Sequence, residues 1–189
     1  FGGRDGSEAE TVEAVRRAID LGIDYVDTSP LYGDSERRVG QALAGGWRDR
    51  VYLQTKTGTH PDRRGDYSAE ATRWSVENSL RLLQTERLDA VLIHDPTDIA
   101  TPLAADHALD ELLRMKEEGI VGHVGLGVRS HAFHRRAMET GRTEISLTYL
   151  DYNLIDQSAR EGVFPTARQH GVGLILASVL GMGLLTGLE

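Results

Sequence analysis

Short apolar runs alternate along the chain with longer segments in which apolar residues recur at helical spacing. The apolar runs recur about every 30 residues, which is the length of one βα unit. Predicted strands cover residues 23–27, 51–56, 88–94, 121–128, 145–149 and 172–178. Predicted helices cover residues 8–21, 35–43, 68–83, 102–118, 131–140 and 158–170. The pattern indicates an α/β fold with a parallel sheet, in a single domain over residues 1–189 without an internal linker.

Ionisable residues stand at the carboxyl ends of three consecutive predicted strands, where they are Asp27, Lys56 and His94. A doubly wound sheet concentrates its ligand site at one switch point, whereas a (β/α)8 TIM barrel collects residues from the ends of many strands at one face. The pattern therefore favours the barrel. Because six strands are predicted and eight close a barrel, we expect the barrel to be incomplete in this chain.

Composition excludes several classes of protein. The 21 basic and 29 acidic residues give a net charge of −8 with the two signs mixed along the chain, which argues against a nucleic-acid partner. There is no cysteine, which excludes disulfides and thiolate metal sites, and we expect the protein in the reducing cytoplasm. No apolar run approaches the roughly 20 residues that span a bilayer. His131 and His134 share a predicted helix without a third ligand, so we expect no metal.

Lysine is rare in this chain, which has 19 arginines but only two lysines, Lys56 and Lys116. Lys116 falls late in a predicted helix, where a cation is ordinary. Lys56 falls where a strand meets its loop. Since an ammonium is a compact point charge that shifts the titration of its neighbours, a functional role is the stronger interpretation for Lys56.

Three further residues can each be explained without a function. Asp27 suits a turn, Tyr32 suits an aromatic residue packed in a loop, and His94 suits a histidine that only stabilises the fold. Together with Lys56 they suggest a chemical site. A nearby ammonium lowers the pKa of a tyrosine by roughly 1 to 3 units from about 10. A carboxylate would hold that ammonium, and a histidine would donate to a carbonyl oxygen. This set suits proton transfer in a carbonyl/alcohol couple that also needs a source or acceptor of hydride.

Five segments resemble the aldo-keto reductase superfamily, in the same order along the chain. They are GIDYVDTSPLYGDSE at 22–36, TK at 55–56, LIH at 92–94, YNL at 152–154 and SVLGMGLL at 178–185. The resemblance implies a (β/α)8 barrel that binds NADP or NAD and interconverts carbonyls and alcohols, with a small sugar or aldehyde as substrate. In the family's order the six strands are the second to the seventh. We therefore expect this chain to be a fragment that lacks the first and eighth strands.

The resemblance also implies roles for individual residues. Tyr32 becomes the general acid in reduction and the base in oxidation, Lys56 lowers its pKa, and Asp27 pairs with Lys56. His94 orients the substrate carbonyl. Three residues match the turn that family members lay along the cofactor's pyrophosphate, and they are Ser178, Leu180 and Gly183.

Two departures from the family pattern concern the cofactor's nicotinamide end. The run GLGV at 125–128 stands where the family often reads GVSN, and Tyr149 stands where a glutamine is frequent. These replacements, with HDP at 94–96, are similar to the aldose dehydrogenase branch, whose members oxidise sugars at C1 to lactones. The resemblance therefore points to an aldose or small aldehyde as the substrate.

Two other functions fit part of the sequence. The superfamily includes non-catalytic regulatory subunits that bind cofactor while serving a partner protein, and the presence of all four catalytic residue types favours an enzyme instead. A Schiff-base aldolase on a similar barrel would use Lys56 as its nucleophile. That function leaves Tyr32 and Asp27 without a role, so we rank it below the oxidoreductase.

Overall fold

Six parallel strands form one sheet in which each strand pairs with its neighbours along the chain. The structure is a computed structural model that describes residues 7–187. The strands are β1 (Tyr25–Asp27), β2 (Tyr52–Thr57), β3 (Leu88–His94), β4 (Val121–Gly127), β5 (Ile145–Tyr149) and β6 (Gly173–Ala177). The helices are α1 (Glu8–Asp20), α2 (Ser35–Leu43), α3 (Ala69–Leu83), α4 (Ala100–Leu103), α5 (Ala108–Glu117), α6 (His131–Met138), α7 (Ala159–Gly162) and α8 (Phe164–His170).

The curled sheet, with helices between consecutive strands, is an incomplete (β/α)8 barrel, as the sequence predicts. Among the described residues, β1 and β6 are the two edges. All six predicted strands are confirmed, with ends that differ by at most two residues. The largest difference is at β1, because the N–H of Ile23 donates to the carbonyl of Ala18 at the end of α1 and is not available to the sheet.

Two predicted helices are each divided in the structure. The predicted helix 102–118 becomes α4 and α5, separated by a turn in which Asp106 has a φ of 56°. Pro102 therefore lies inside the short α4 and does not begin a long helix. The predicted helix 158–170 divides at Val163, since Pro165 lacks an N–H and its ring would clash with the carbonyl four residues earlier in a continuous helix.

The side chains of β2 alternate between the two faces of the sheet, and this alternation decides which of its polar residues point into the barrel. Leu53 packs in the main hydrophobic core and Thr55 donates to Glu36 of α2 at 2.6 Å, so this face of β2 is turned towards the helices. Gln54 and Lys56 are on the opposite face, because successive side chains of a strand alternate. Both are buried, so an amide and an ammonium enter the barrel interior from two positions on the same face of one strand.

A glycine allows β4 and β5 to approach each other. A Cβ added at Gly125 would lie 2.0 Å from the carbonyl oxygen of Ile145, a backbone atom that cannot move without disturbing the sheet. At Gly127, on the same strand, the nearest atom to an added Cβ is Leu92 Cδ1 at 3.4 Å.

We expect Gly125→Ala to lower the free energy of unfolding by more than about 2 kcal/mol, because a methyl group would force the two strands apart. Gly127→Ala is the matched control and should change it by less than about 1 kcal/mol. Urea denaturation followed by circular dichroism measures both. Equal stabilities of the two variants would contradict the close approach at Gly125.

Candidate active site

Lys56 provides a buried cation at the carboxyl edge of the sheet. Its side chain is 1% exposed. Its Nζ donates to both carboxylate oxygens of Asp27 at 2.7 Å and to the carbonyl oxygen of Thr28 at 2.8 Å. Burial lowers the pKa of Lys56, and the contacts with Asp27 act in the opposite direction. Since an ammonium has three protons to donate, β1 and the residue after it accept all three.

Gln54 adds a second side-chain contact between β2 and β1, next to the ion pair of Lys56 with Asp27. Its Nε2 donates to Asp27 Oδ1 at 2.6 Å, and its Oε1 accepts from the hydroxyl of Tyr25 at 2.8 Å. The side chain of Gln54 is fully buried. The carboxylate of Asp27 is therefore held by two partners, the amide of Gln54 and the ammonium of Lys56.

Tyr32 lies in a turn that Ser29 organises after β1. The N–H of Tyr32 donates to the Ser29 carbonyl at 3.0 Å, and the N–H of Leu31 donates to the Ser29 hydroxyl at 3.1 Å. The turn brings the phenol ring over Lys56, whose Nζ lies 4.9 Å from the ring centroid. Tyr32 is 42% exposed, so its ring faces both the buried ammonium and the open mouth of the barrel.

His94 ends β3 with its ring held edge-on to Tyr32, at 6.0 Å between ring centroids. The hydroxyl oxygens of Thr59 and Ser29 lie 2.8 Å and 3.3 Å from Nδ1. Because Ser29 Oγ already accepts from the N–H of Leu31, its proton is available to Nδ1. When Nδ1 accepts from one of these hydroxyls, the neutral ring carries its proton on Nε2 and can donate from there.

The imidazole of His94 is neutral at physiological pH. Burial, assisted by the ammonium of Lys56, lowers the pKa of His94 to about 3. A neutral ring with its proton on Nε2 still donates one hydrogen bond. His94 therefore has the form that a carbonyl oxygen needs from an orienting group, without contributing a positive charge.

The net pKa shift of Tyr32 runs opposite to the lowering expected from Lys56, whose own contribution stays a prediction. Burial raises the pKa of Tyr32 to about 12, and the carboxylates of Asp27 and Asp95 act in the same direction. The ammonium is paired with both oxygens of Asp27, whose negative charge acts against that of the ammonium at the phenol. Tyr32 is therefore protonated at neutral pH and can act there as a proton donor.

The three residues expected to contact a cofactor lie on the loop after β6. Ser178 and Gly183 have positive φ angles of 54° and 101°, and Leu180 is 56% exposed. A Cβ added at Gly183 would meet nothing within 4 Å, so the backbone there is open to approach. Because β6 is parallel to the other strands, this loop lies at the same edge of the sheet as the four residues above, with β4 and β5 between them.

The donors of this loop suit a pyrophosphate. No lysine or arginine occurs between residues 171 and 187, so the donors of the segment are main-chain amides and the hydroxyls of Ser178 and Thr186. Backbone amides in a glycine-containing turn bind phosphate oxygens without a charged side chain. The residues present therefore fit this part of a dinucleotide cofactor.

The two departures from the family pattern have structural counterparts. Gly127 and Val128 place no side-chain hydrogen-bonding group at the end of β4, and the carbonyl of Val128 accepts from His134 Nε2 at 2.7 Å. Tyr149, at the end of β5, donates its hydroxyl to Asp95 Oδ1 at 3.3 Å. The hydroxyl of Tyr149 is thus directed towards the loop after β3.

Residues 7–187 contain no group of three His, Asp or Glu side chains that could hold a metal ion. His131 contacts the buried carboxylate of Asp151 at 2.8 Å, and His134 is buried against Ser146 and Val128. In the same part of the chain, no helix is long and apolar enough to cross a membrane.

Sequence reasoning assigned no role to several residues that contact the expected four, among them Gln54, Thr59 and Asp95. Gln54 carries a signal that was available, since it is a polar residue two positions before Lys56 and therefore shares its face of β2. Thr59 carries no signal in the sequence, because its contact with His94 depends on how the loop after β2 folds back. Asp95 follows His94 directly in sequence, but only the structure shows that its carboxylate turns back towards the ring.

A parallel barrel that gathers a phenol, an ammonium, a carboxylate and an imidazole at its carboxyl edge has the arrangement of a (β/α)8 enzyme. The sequence profile of the aldo/keto reductase family matches residues 1–189. The chain belongs to this family, as the sequence motifs predict.

Three known proteins illustrate the similarity. L-galactose dehydrogenase of Arabidopsis thaliana is 32% identical over 187 residues, which cover 95% of this chain and 58% of that protein. D-threo-aldose 1-dehydrogenase of Pseudomonas sp is 29% identical over 208 residues, covering 97% and 63%. The crystal structure of an aldo/keto reductase from Klebsiella pneumoniae in complex with NADP and acetate has a TM-score of 0.79 at 26% identity, covering 99% and 64%. The chain thus spans less than two thirds of the length of these relatives.

Replacing Asp27 by asparagine would leave the buried ammonium without its anion. We expect Asp27→Asn to lower the free energy of unfolding by about 3 kcal/mol. The double variant Asp27→Asn/Lys56→Met should recover part of that loss, because it buries no charge at this position. Chemical denaturation measures both, with Asp34→Asn as an exposed control expected to change stability by less than about 0.5 kcal/mol. Equal effects of Asp27→Asn and Asp34→Asn would contradict the proposed role of the pair.

Proposed function

We propose that the protein is an NADP(H)- or NAD(H)-dependent oxidoreductase that interconverts a carbonyl and an alcohol. Its substrate is an aldose oxidised at C1 or a small aldehyde that is reduced. One observation carries the proposal: the Lys56 ammonium, paired with Asp27, lies 4.9 Å from the Tyr32 ring centroid, and His94 lies at the edge of that ring. The similarity to L-galactose dehydrogenase and D-threo-aldose 1-dehydrogenase supports the choice of an aldose.

Each of the four residues has a distinct task in this reaction. The phenol of Tyr32 gives its proton to the carbonyl oxygen during reduction and, as phenolate, takes it back during oxidation. Lys56 stabilises the phenolate, and Asp27 holds Lys56 in place. His94 donates from Nε2 to the same oxygen and fixes its position relative to the phenol.

A bound nicotinamide supplies or accepts the hydride at the reacting carbon. The protein's part is to place that carbon and to exchange one proton. The loop after β6, with Ser178, Leu180 and Gly183, would hold the pyrophosphate through main-chain amides and one hydroxyl. The similar Klebsiella pneumoniae protein contains NADP, which supports NADP(H) as the cofactor of this chain.

The contacts of Lys56 favour this function over a Schiff-base aldolase. A Schiff base requires a neutral amine with a free lone pair. All three donor directions of the Lys56 ammonium are occupied by oxygen acceptors, and the side chain is 1% exposed. A non-catalytic regulatory subunit would bind the cofactor without turnover, and an activity assay distinguishes it from the enzyme.

We expect the protein to oxidise one or more neutral aldoses with NADP or NAD, or to reduce small aldehydes with the reduced cofactors, as measured by nicotinamide absorbance. Tyr32→Phe and Lys56→Met should each lower kcat by at least about a hundredfold, because each removes a participant in proton transfer. The matched controls are Tyr52→Phe, an exposed tyrosine, and Lys116→Met, the only other lysine. Turnover that survives both site substitutions would contradict the mechanism, and cofactor binding without turnover would indicate a regulatory subunit.

The raised pKa of Tyr32 predicts opposite pH dependences for the two directions. At neutral pH the phenol is protonated, so reduction should vary little between pH 6 and about 9. Oxidation needs the phenolate, so its kcat should increase with pH, by up to about tenfold per unit below the pKa of about 12. Tyr32→Phe should abolish the increase. A rate of oxidation that is independent of pH in this range would show that Tyr32 is not the base.

A further inference from the structure

Asp95 has a strained backbone at the mouth of the barrel. It directly follows His94, and its φ of 40° lies in the left-handed region. The next residue is Pro96, which normally confines its predecessor to an extended conformation. A non-glycine residue in this conformation is strained, and such residues cluster at functional sites. The conformation turns the side chain of Asp95 back towards the imidazole.

The carboxylate of Asp95 lies between two side chains of the site. Its Oδ2 is 3.5 Å from His94 Nε2, and its Oδ1 accepts from the hydroxyl of Tyr149 at 3.3 Å. Within residues 7–187, no lysine or arginine forms an ion pair with it. The side chain is 37% exposed, so acceptor positions on both oxygens remain open to the mouth of the barrel.

Asp95 lies close to Tyr32 and His94, the groups that the proposed function assigns to the carbonyl oxygen. His94 Nε2 is the ring nitrogen left to contact a substrate, since Nδ1 contacts Thr59 and Ser29. The negative charge of Asp95 also raises the pKa of Tyr32. A carbonyl oxygen bound by Tyr32 and His94 would therefore have the Asp95 carboxylate close to it.

We propose that Asp95 is a specificity-determining residue that accepts a hydrogen bond from the substrate hydroxyl on the carbon adjacent to the reacting carbon. The inference rests on the proposed oxidoreductase function. An ionised carboxylate is a strong acceptor for a hydroxyl and repels an anionic group at the same place. The site thus selects neutral, hydroxylated aldehydes and aldoses over aldehydes that lack the hydroxyl and over those that carry a carboxylate there.

Three small aldehydes test this selection, because they differ only at the adjacent position. Glycolaldehyde carries a hydroxyl, acetaldehyde a hydrogen and glyoxylate a carboxylate. Asp95→Asn keeps the shape of the side chain and removes its charge, while Asp95→Gly removes the side chain and suits the left-handed backbone. Asp62→Asn, an exposed carboxylate on the loop after β2, is the control.

We expect Asp95→Gly to lower kcat/KM for glycolaldehyde by about tenfold to a hundredfold, while acetaldehyde changes by no more than about twofold. Asp95→Asn should raise kcat/KM for glyoxylate by about tenfold. The Asp62→Asn control should leave all three values unchanged. An equal loss for glycolaldehyde and acetaldehyde would overturn the proposal, because it would show that Asp95 only positions His94.

A binding measurement separates this inference from the proposed function. If the unsubstituted protein turns over none of the aldehydes or aldoses, the oxidoreductase proposal fails. Calorimetry with L-galactose then tests Asp95 alone, and we expect Asp95→Gly to raise the Kd at least about tenfold over the unsubstituted protein. Equal affinities, or no binding to the unsubstituted protein, would overturn the role of Asp95.

Discussion

The buried ammonium of Lys56 is the constraint on which the rest of the site depends. A charge that is 1% exposed must have an anion and further acceptors close by. Asp27 and the carbonyl of Thr28 provide them. The pairing register of β1 and β2 therefore decides whether the ammonium meets its carboxylate. A shift of β1 by one residue would turn Asp27 to the other face and leave the ammonium unpaired. The same contacts that stabilise the pair therefore fix the position of the turn that carries Tyr32.

The charges around the phenol explain its protonation state. The single ammonium is matched by Asp27, His94 is neutral, and Asp95 adds a further negative charge at the mouth. Burial and these carboxylates together keep Tyr32 protonated. The position of Lys56 next to the ring was predictable from the sequence, but the direction of the pKa shift was not. It depends on how completely Asp27 offsets the ammonium and on how much of the ring is buried, which only the packed structure defines.

The sequence predicted the sheet well because each strand contains an apolar run, and it predicted Asp27, Lys56 and His94 because strand ends meet at one edge of a parallel barrel. The long helices were less predictable. The break before α5 depends on Asp106, whose carbonyl accepts from the N–H of Ala69, a contact between distant segments. Loop contacts such as Thr59 with His94 escaped prediction for the same reason, since their partners are far apart in sequence.

Asp95 is hard to explain by stability or by proton transfer alone. Its backbone is strained, its carboxylate has no lysine or arginine as an ion-pair partner among residues 7–187, and its charge makes Tyr32 a weaker acid. Each of these effects is unfavourable for the folded chain or for oxidation at neutral pH. A residue with three such effects is accounted for if its carboxylate contributes an interaction that forms only when substrate is bound. A hydroxyl on the carbon next to the reacting centre is the group that this position and charge can recognise, and aldoses other than 2-deoxy sugars carry it.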